Sequence, residues 1–152
     1  MTAAERLAAL GLTLPPVTPP VAAYVPAVRT GAYVYVSGQL PVVDGKLPAV
    51  GKVGAEVSAE DAAGMARTCA LNAVAAAASA AGGLAGIRRI VKVVGFVASA
   101  PGFGGQPQVI NGASELLIEV FGEEGKHARS AIGVAELPLN APVEVELIAE
   151  VG

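Results

Sequence analysis

The sequence predicts an α+β sandwich, with two main helices on one face of a mixed sheet. Three observations lead there. The elements alternate in the order β-β-(β)-α-β-α-β-β, which mixes hairpin-like and crossover connections. A long alanine-rich stretch, roughly 59–81, is opened by the cap Ser58-Ala-Glu-Asp61 and closed by Gly82-Gly83. A run at 88–99 is apolar at both alternating sets of positions, so neither of its faces suits water.

Taken in order, Thr2-Ala-Ala-Glu5 is a capping box, giving a short helix over 3–10 that Gly11 ends. Pro15, Pro16, Pro19 and Pro20 force an extended connector. Strands are expected at 22–29 and 33–40 around a turn at Thr30-Gly31. In the second, Val34, Val36, Gly38 and Leu40 alternate with Tyr33, Tyr35, Ser37 and Gln39. Gly45 and Gly51 bracket a turn region with a short strand near 46–50. In the run at 88–99, Ile90, Val94, Phe96 and Ala98 form one side and Val91, Val93, Gly95 and Val97 the other. A Gly/Pro-rich loop at 100–107 leads to a second helix at 108–121, and the last strands fall near 128–136 and 143–151. The chain divides into an N-terminal helix with a Pro-rich extension, 1–21, and a main domain, 22–152.

At 152 residues the chain suits one domain. Charged residues are 15% against 53% hydrophobic, well under the ~25% charge usual in soluble domains. One small core cannot hide that much apolar surface, so burial between identical subunits is expected. A net charge of −3 with 4% aromatics and no basic run argues against a nucleic-acid partner. Thr68 to Ile87 is uncharged, but Asn72, Ser79 and Gly82-Gly83 mark a buried helix and its exit rather than a membrane span. Glu5 and Arg6 interrupt any signal-peptide pattern, and the single cysteine excludes an intrachain disulfide framework, so a cytoplasmic location is expected. Cys69, among alanines, reads as a buried small hydrophobe.

The segment from His127 to Glu146 carries the chemistry. Arg129 opens one apolar strand and Glu144 the next, with a Pro-bounded turn between, and a pocket for a small anionic molecule explains charges there. Read as a hairpin centred near Leu139 and Asn140, the pair sets Ile132 and Val134 against Leu147 and Val145 on a helix-facing side. Arg129, Ala131, Gly133 and Ala135 then lie opposite Glu150, Ile148, Glu146 and Glu144. In this register Arg129 and Glu144 of one chain are roughly 20 Å apart. If they share a site, they come from different chains.

At these residues the chain resembles the RidA/YjgF family of enamine/imine deaminases, also labelled endoribonuclease L-PSP. The matching positions are His127-Ala128-Arg129-Ser130, Leu137-Pro138 and Glu144-Val145-Glu146, with Tyr24, Ser37-Gly38-Gln39 after a strand, and Asn111 entering the second helix. The resemblance spans roughly 22–151. It implies a chorismate-mutase-like fold of the bacterial trimeric type, with three sheets forming a central barrel and sites between subunits in a homotrimer. It implies that Arg129 grips a substrate carboxylate and that Glu144 positions or activates the hydrolytic water. Tyr24, Ser37, Gly38 and Asn111 line the pocket, as does Ala131, which stands where many members carry Cys. The implied reaction is hydrolysis of 2-aminoacrylate-like enamines and imines to 2-keto acids and ammonia, as in a 2-iminobutanoate/2-iminopropanoate deaminase, with no metal or organic cofactor. His127 replaces the usual Pro, and the 1–21 segment and 100–107 loop lengthen the chain.

Other readings stay open. A non-enzymatic trimer could bind a small metabolite in the same cleft, and the family label suggests a ribonuclease, against which the acidic balance speaks. With one histidine and one cysteine the chain lacks a usual zinc set, so His127 is expected at a surface or interface. Tyr33 and Tyr35 are expected to pack rather than bind, and Gly102, Gly104 and Gly105 to give loop flexibility rather than a phosphate site.

Overall fold

The computed structural model describes residues 1–17 and 23–152. In chain order the main elements are α1 (Ala3–Ala9), β1 (Ala27–Thr30), β2 (Tyr33–Gln39), α2 (Ala59–Ala81), β3 (Ile87–Ala98), α3 (Gln106–Phe121), β4 (Ala128–Val134) and β5 (Val143–Val151). Short 3-10 turns precede β3, follow α3 and join β4 to β5.

Local chemistry accounts for the helix ends. The Thr2 hydroxyl accepts from the Glu5 amide at 3.1 Å, while the Glu5 carboxylate accepts from the Thr2 amide at 2.8 Å. Leu7 then anchors α1 in the core, and the chain turns at Gly11. In α2 the Ser58 hydroxyl accepts from the Asp61 amide, and Gly82 ends the helix in the left-handed region with φ 78°. The buried face of α2 runs through Ala62, Ala66, Ala70, Ala73 and Ala77. Such short side chains let backbones approach: a Cβ on Gly112 of α3 would collide with the Ala63 carbonyl oxygen of α2. Arg67 and Glu119 tie the two helices at 3.0 Å. The second helix begins two residues before the expected 108, because Pro107 sits in its first turn, where the missing amide costs nothing.

The sheet order is β1-β2-β5-β3-β4, with β3 and β4 parallel and the other neighbours antiparallel. The expected β4–β5 hairpin is therefore wrong. β3, α3 and β4 instead form a βαβ crossover unit, and β5 passes beyond β4 to pair between β2 and β3. The Leu137–Asn140 connection does not close a tight hairpin. Leu139 and Asn140 both hold φ 59°, and the Asn140 carbonyl accepts from the Gly51 amide at 2.9 Å. In the expected 46–50 region only a bridge between Val43 and Lys46 forms. The first strand is shorter than 22–29; Pro19, Pro20 and residue 22 lie outside the described residues, as does the proposed boundary at 21/22.

The helices cover one face. Val143, Val145, Leu147, Ala149 and Val151 of β5 point into the core, leaving Glu144, Glu146, Ile148 and Glu150 on the other side. Register carries this division across the sheet: Arg129 pairs with Val93, which pairs with Leu147, so all three face the helices. Ile132, paired through Phe96 with Glu144, lies on the open face. The expected facing of β4 is thus reversed. A register shift between Ile90 and Lys92 also turns Ile90 to the side of Val93, rather than that of Val94 and Phe96.

The open face carries Val28, Tyr33, Tyr35 and Ile132, each 41–52% exposed in the single chain. Tyr33 and Tyr35 thus leave the chain's own core to the aliphatic residues. A depression of about 220 Å³ lies there, lined in part by Tyr35, Lys92, Val94, Glu146 and Ile148. No helix among the described residues is long and apolar enough to cross a membrane.

Candidate functional site

Arg129 stands near the start of β4 and reaches α3, which the βαβ crossover lays beside it. Its Nη1 donates to Asn111 Oδ1 at 2.7 Å and to Ser114 Oγ at 3.3 Å. Asn111 and Ser114 are one helical turn apart, so one face of α3 presents both acceptors. Those two bonds account for both Nη1 hydrogens. Among the described residues the Nε and Nη2 edge, whose parallel donors match a carboxylate, stays unengaged, and Arg129 forms no ion pair.

His127 completes this cluster. Its Nδ1 lies 2.6 Å from the Gly125 carbonyl oxygen and its Nε2 lies 2.9 Å from Ser114 Oγ. A carbonyl can only accept, so Nδ1 carries the proton and Nε2 accepts from the Ser114 hydroxyl. Burial holds the imidazole pKa below its ordinary value and Arg129 adds to this, against the Gly125 bond. Both effects favour the neutral ring. Sequence reasoning placed His127 merely at a surface or interface, and it missed Ser114. The available signal was Ser114 three residues after Asn111.

A second cluster forms on the open face at β2 and β5. The Glu144 carboxylate lies over Gly38: a Cβ there would come within 2.7 Å of Oε2. Gly38 lies at the register shift between Val36 and Gln39, where β2 departs from regular pairing with β5. Burial raises the pKa of Glu144, and the neighbouring Glu146 raises it further. No lysine or arginine pairs with Glu144 among the described residues. Ser37 donates its hydroxyl to the Val25 carbonyl at 2.7 Å and its amide to that of Pro26 at 2.9 Å, fixing the approach to β1. Tyr24, just before it, is exposed.

Among the anticipated residues, the structure joins Arg129 to Asn111 and Glu144 to Gly38, and it keeps the two groups apart. Glu144 is level with Ile132, three residues along β4 from Arg129 and two strands away. That offset is ~10 Å along and ~10 Å across the sheet. The two side chains also leave opposite faces. Ala131 pairs with Gly95 and is half-buried against the core, on the same face as Arg129. Cys69 is buried as expected, 3.9 Å from the Val143 carbonyl, and burial pushes its thiol well above the ordinary range. Among the described residues no three His, Cys, Asp or Glu side chains gather as metal ligands would.

Residues 4–151 match the family model described as "YjgF/chorismate mutase-like, putative endoribonuclease". The chain is 44% identical over 148 residues to Protein TCP17 of Trypanosoma cruzi, covering 97% of this chain and 92% of that protein. The crystal structure of Atu1372 from Agrobacterium tumefaciens superimposes with a TM-score of 0.91 at 48% identity, over 99% of this chain and 92% of that one. The structure of Escherichia coli TdcF with bound serine matches at 28% identity with a TM-score of 0.60, covering 88% and 92%.

Proposed function

The chain belongs to the YjgF/chorismate mutase-like family, and from that membership and its two half-sites we propose that it is a homotrimeric hydrolase of small enamine and imine acids. The observation that carries this reading is the free Nε/Nη2 edge of Arg129, held in place by Asn111 and Ser114. That edge takes the carboxylate of a 2-aminoacrylate-like substrate in two parallel charge-assisted hydrogen bonds. Glu144 of an adjacent subunit, its pKa raised by burial and Glu146, accepts a proton from water as the oxygen attacks the C=N carbon. The enamine first takes a proton at its terminal carbon to become the imine. Water then adds to C=N, the C–N bond breaks, and the products are the 2-keto acid and ammonia.

The chemical demand is small, because imines hydrolyse in water. Orientation of the carboxylate and one activated water supplies what is needed. Tyr24, Ser37 and Gly38 belong to the Glu144 side of the pocket, and Asn111 and Ala131 to the Arg129 side. Opposite faces and a separation near 14 Å within one chain favour a site assembled from two chains. The exposed Val28, Tyr33, Tyr35 and Ile132 of the open face offer surface for that assembly. TdcF, which holds serine in its crystal structure, supports a ligand of amino-acid size. The ribonuclease activity in the family's description has less behind it, since a net charge of −3 and a single grip arginine offer no track for a polyanion.

The direct test generates 2-aminoacrylate enzymatically and follows keto acid and ammonia. Acceleration by the pure protein, lost in Arg129→Ala with assembly intact, is expected. Binding of a small keto acid without acceleration would instead make the protein a metabolite-binding oligomer.

A further inference from the structure

Gly125, His127, Ser114 and Arg129 form a directional chain of hydrogen bonds. The Gly125 carbonyl fixes the proton on Nδ1 at 2.6 Å, Nε2 must then accept from the Ser114 hydroxyl at 2.9 Å, and Ser114 Oγ is left with lone pairs only toward Arg129 Nη1 at 3.3 Å. Each link dictates the next. Without His127 the Ser114 hydroxyl can rotate its hydrogen toward the guanidinium, turning an acceptor into a repelling donor.

We propose that His127, acting through Ser114, is the positioning residue for Arg129, and that protonation of its ring couples the grip on a carboxylate to pH. The proposal rests on Arg129 as the carboxylate grip and adds to it Ser114 and His127, the latter standing at the usual Pro position. Protonated His127 donates from Nε2 to Ser114 Oγ. Ser114 keeps its hydrogen, now turned away from Nε2, and a second positive charge stands beside Arg129, so a bound anion gains and an empty site loses. A carboxylate therefore binds more tightly as pH falls through the pKa of His127, which burial and Arg129 hold below the ordinary imidazole value. By linkage, its binding raises that pKa. The groups facing the ring agree with this. From β4 the charge is Arg129, the one charge that shifts the ring, and α3 presents the uncharged Ser114, with Glu115 beside it exposed to solvent. The acids of the preceding turn, Glu123 and Glu124, are engaged at 2.9 Å by Lys126 and 3.7 Å by Arg89.

His127 is the only histidine, so protein labelled with ¹⁵N-histidine gives a single imidazole to follow by NMR while pyruvate, anionic throughout, is titrated in between about pH 5 and 8. The wild type is expected to show the Nδ1–H tautomer, a pKa raised by Arg129→Ala, and pyruvate affinity that tightens toward acid. In His127→Gln the amide oxygen can still accept from Ser114 and does not titrate. That variant is expected to retain most of the affinity with a flat pH profile, whereas His127→Ala loses roughly tenfold. Ser114→Ala combined with His127→Ala is expected to cost no more than either alone. Parallel pH profiles in wild type and His127→Gln, or additive losses in the double variant, would overturn the proposal. So would a histidine pKa indifferent to Arg129→Ala, which is readable even if pyruvate does not bind. Imine turnover enters none of these measurements, so failure of the deaminase reading is recognised separately by ammonia release.

Discussion

The two half-sites of this chain differ in completeness. On the Arg129 side the hydrogen bonds run from the Gly125 carbonyl through His127 and Ser114 to the guanidinium, with Asn111 holding it from the same helix. On the Glu144 side a half-buried carboxyl leans over Gly38 beside a second acid, with its pKa pushed upward and no cation paired to it. The first cluster is organised by its own chain. The second is an acid destabilised by burial and by Glu146 on the open sheet face, which fits the proposal that an adjacent subunit completes its surroundings. Burial that shifts a pKa without a compensating partner is costly to folding, and such groups concentrate at functional sites.

The strongest way to break the comparison is to deny the open face its partner. Val94→Asp places a charge in the depression beside Glu146 and Ile148. Complete loss of assembly, and of turnover with it, is expected on sedimentation, since an unpaired charge cannot be buried between subunits at the cost of several kcal/mol. A fully active monomer would show that each chain holds a whole site.

Arg129→Ala comes next. Losing two charge-assisted hydrogen bonds worth about 1.5–3 kcal/mol each lowers kcat/KM by roughly a thousandfold, with assembly unchanged. Glu144→Gln should lower kcat about a hundredfold with little change in KM. Its stability carries a further signature. Because the folded-state pKa of Glu144 is raised, the ionised carboxyl weighs against folding. Stability linked to it is full below the unfolded pKa and is lost as pH rises through the folded one. The Gln variant is therefore more stable than wild type at neutral pH, and the two converge in acid; denaturant titrations at several pH values check this. Mixing the two inactive variants sharpens the comparison. If Arg129 and Glu144 of neighbouring chains share a site, random reassembly restores about a quarter of the sites in a closed ring. If each chain holds its own, nothing returns.

Much of this was legible from local chemistry. The capping residues Thr2 and Ser58 and the stop at Gly82 gave α1 and α2 to within a residue, since hydrogen bonds at helix ends involve near neighbours. Sheet order was not legible. β4 and β5 are adjacent in sequence with a Pro-containing turn, and the hairpin reading lost to the βαβ unit β3-α3-β4. The strand–helix–strand order was itself the signal for a parallel pair. That error reversed the facing of Arg129 and Ile132, because one strand's side chains alternate strictly. The expectation that Arg129 and Glu144, if they share a site, come from different chains rested on a separation of roughly 20 Å in a register that does not form; their opposite faces give the same proposal a different ground. His127 could not be placed from sequence, since its partners Ser114 and Gly125 meet it only where α3 and its exit turn lie against β4.

The smallest expected effect tests the less finished half alone. Gly38 does not need a left-handed backbone, for its φ is absent from the positive range, so Gly38→Ala adds a methyl group without backbone strain. The atom it meets is the far end of a flexible side chain, Glu144 Oε2 at 2.7 Å. Cδ at 2.8 Å and Cγ at 3.2 Å are met as well, so the Glu144 carboxyl must shift, which a flexible side chain does at little cost to the fold. If that carboxylate orients the attacking water, such a displacement costs kcat about tenfold while the affinity for pyruvate, held by Arg129, stays put. Unchanged kcat with shifted affinity would reverse the division of labour, making Glu144 part of the grip.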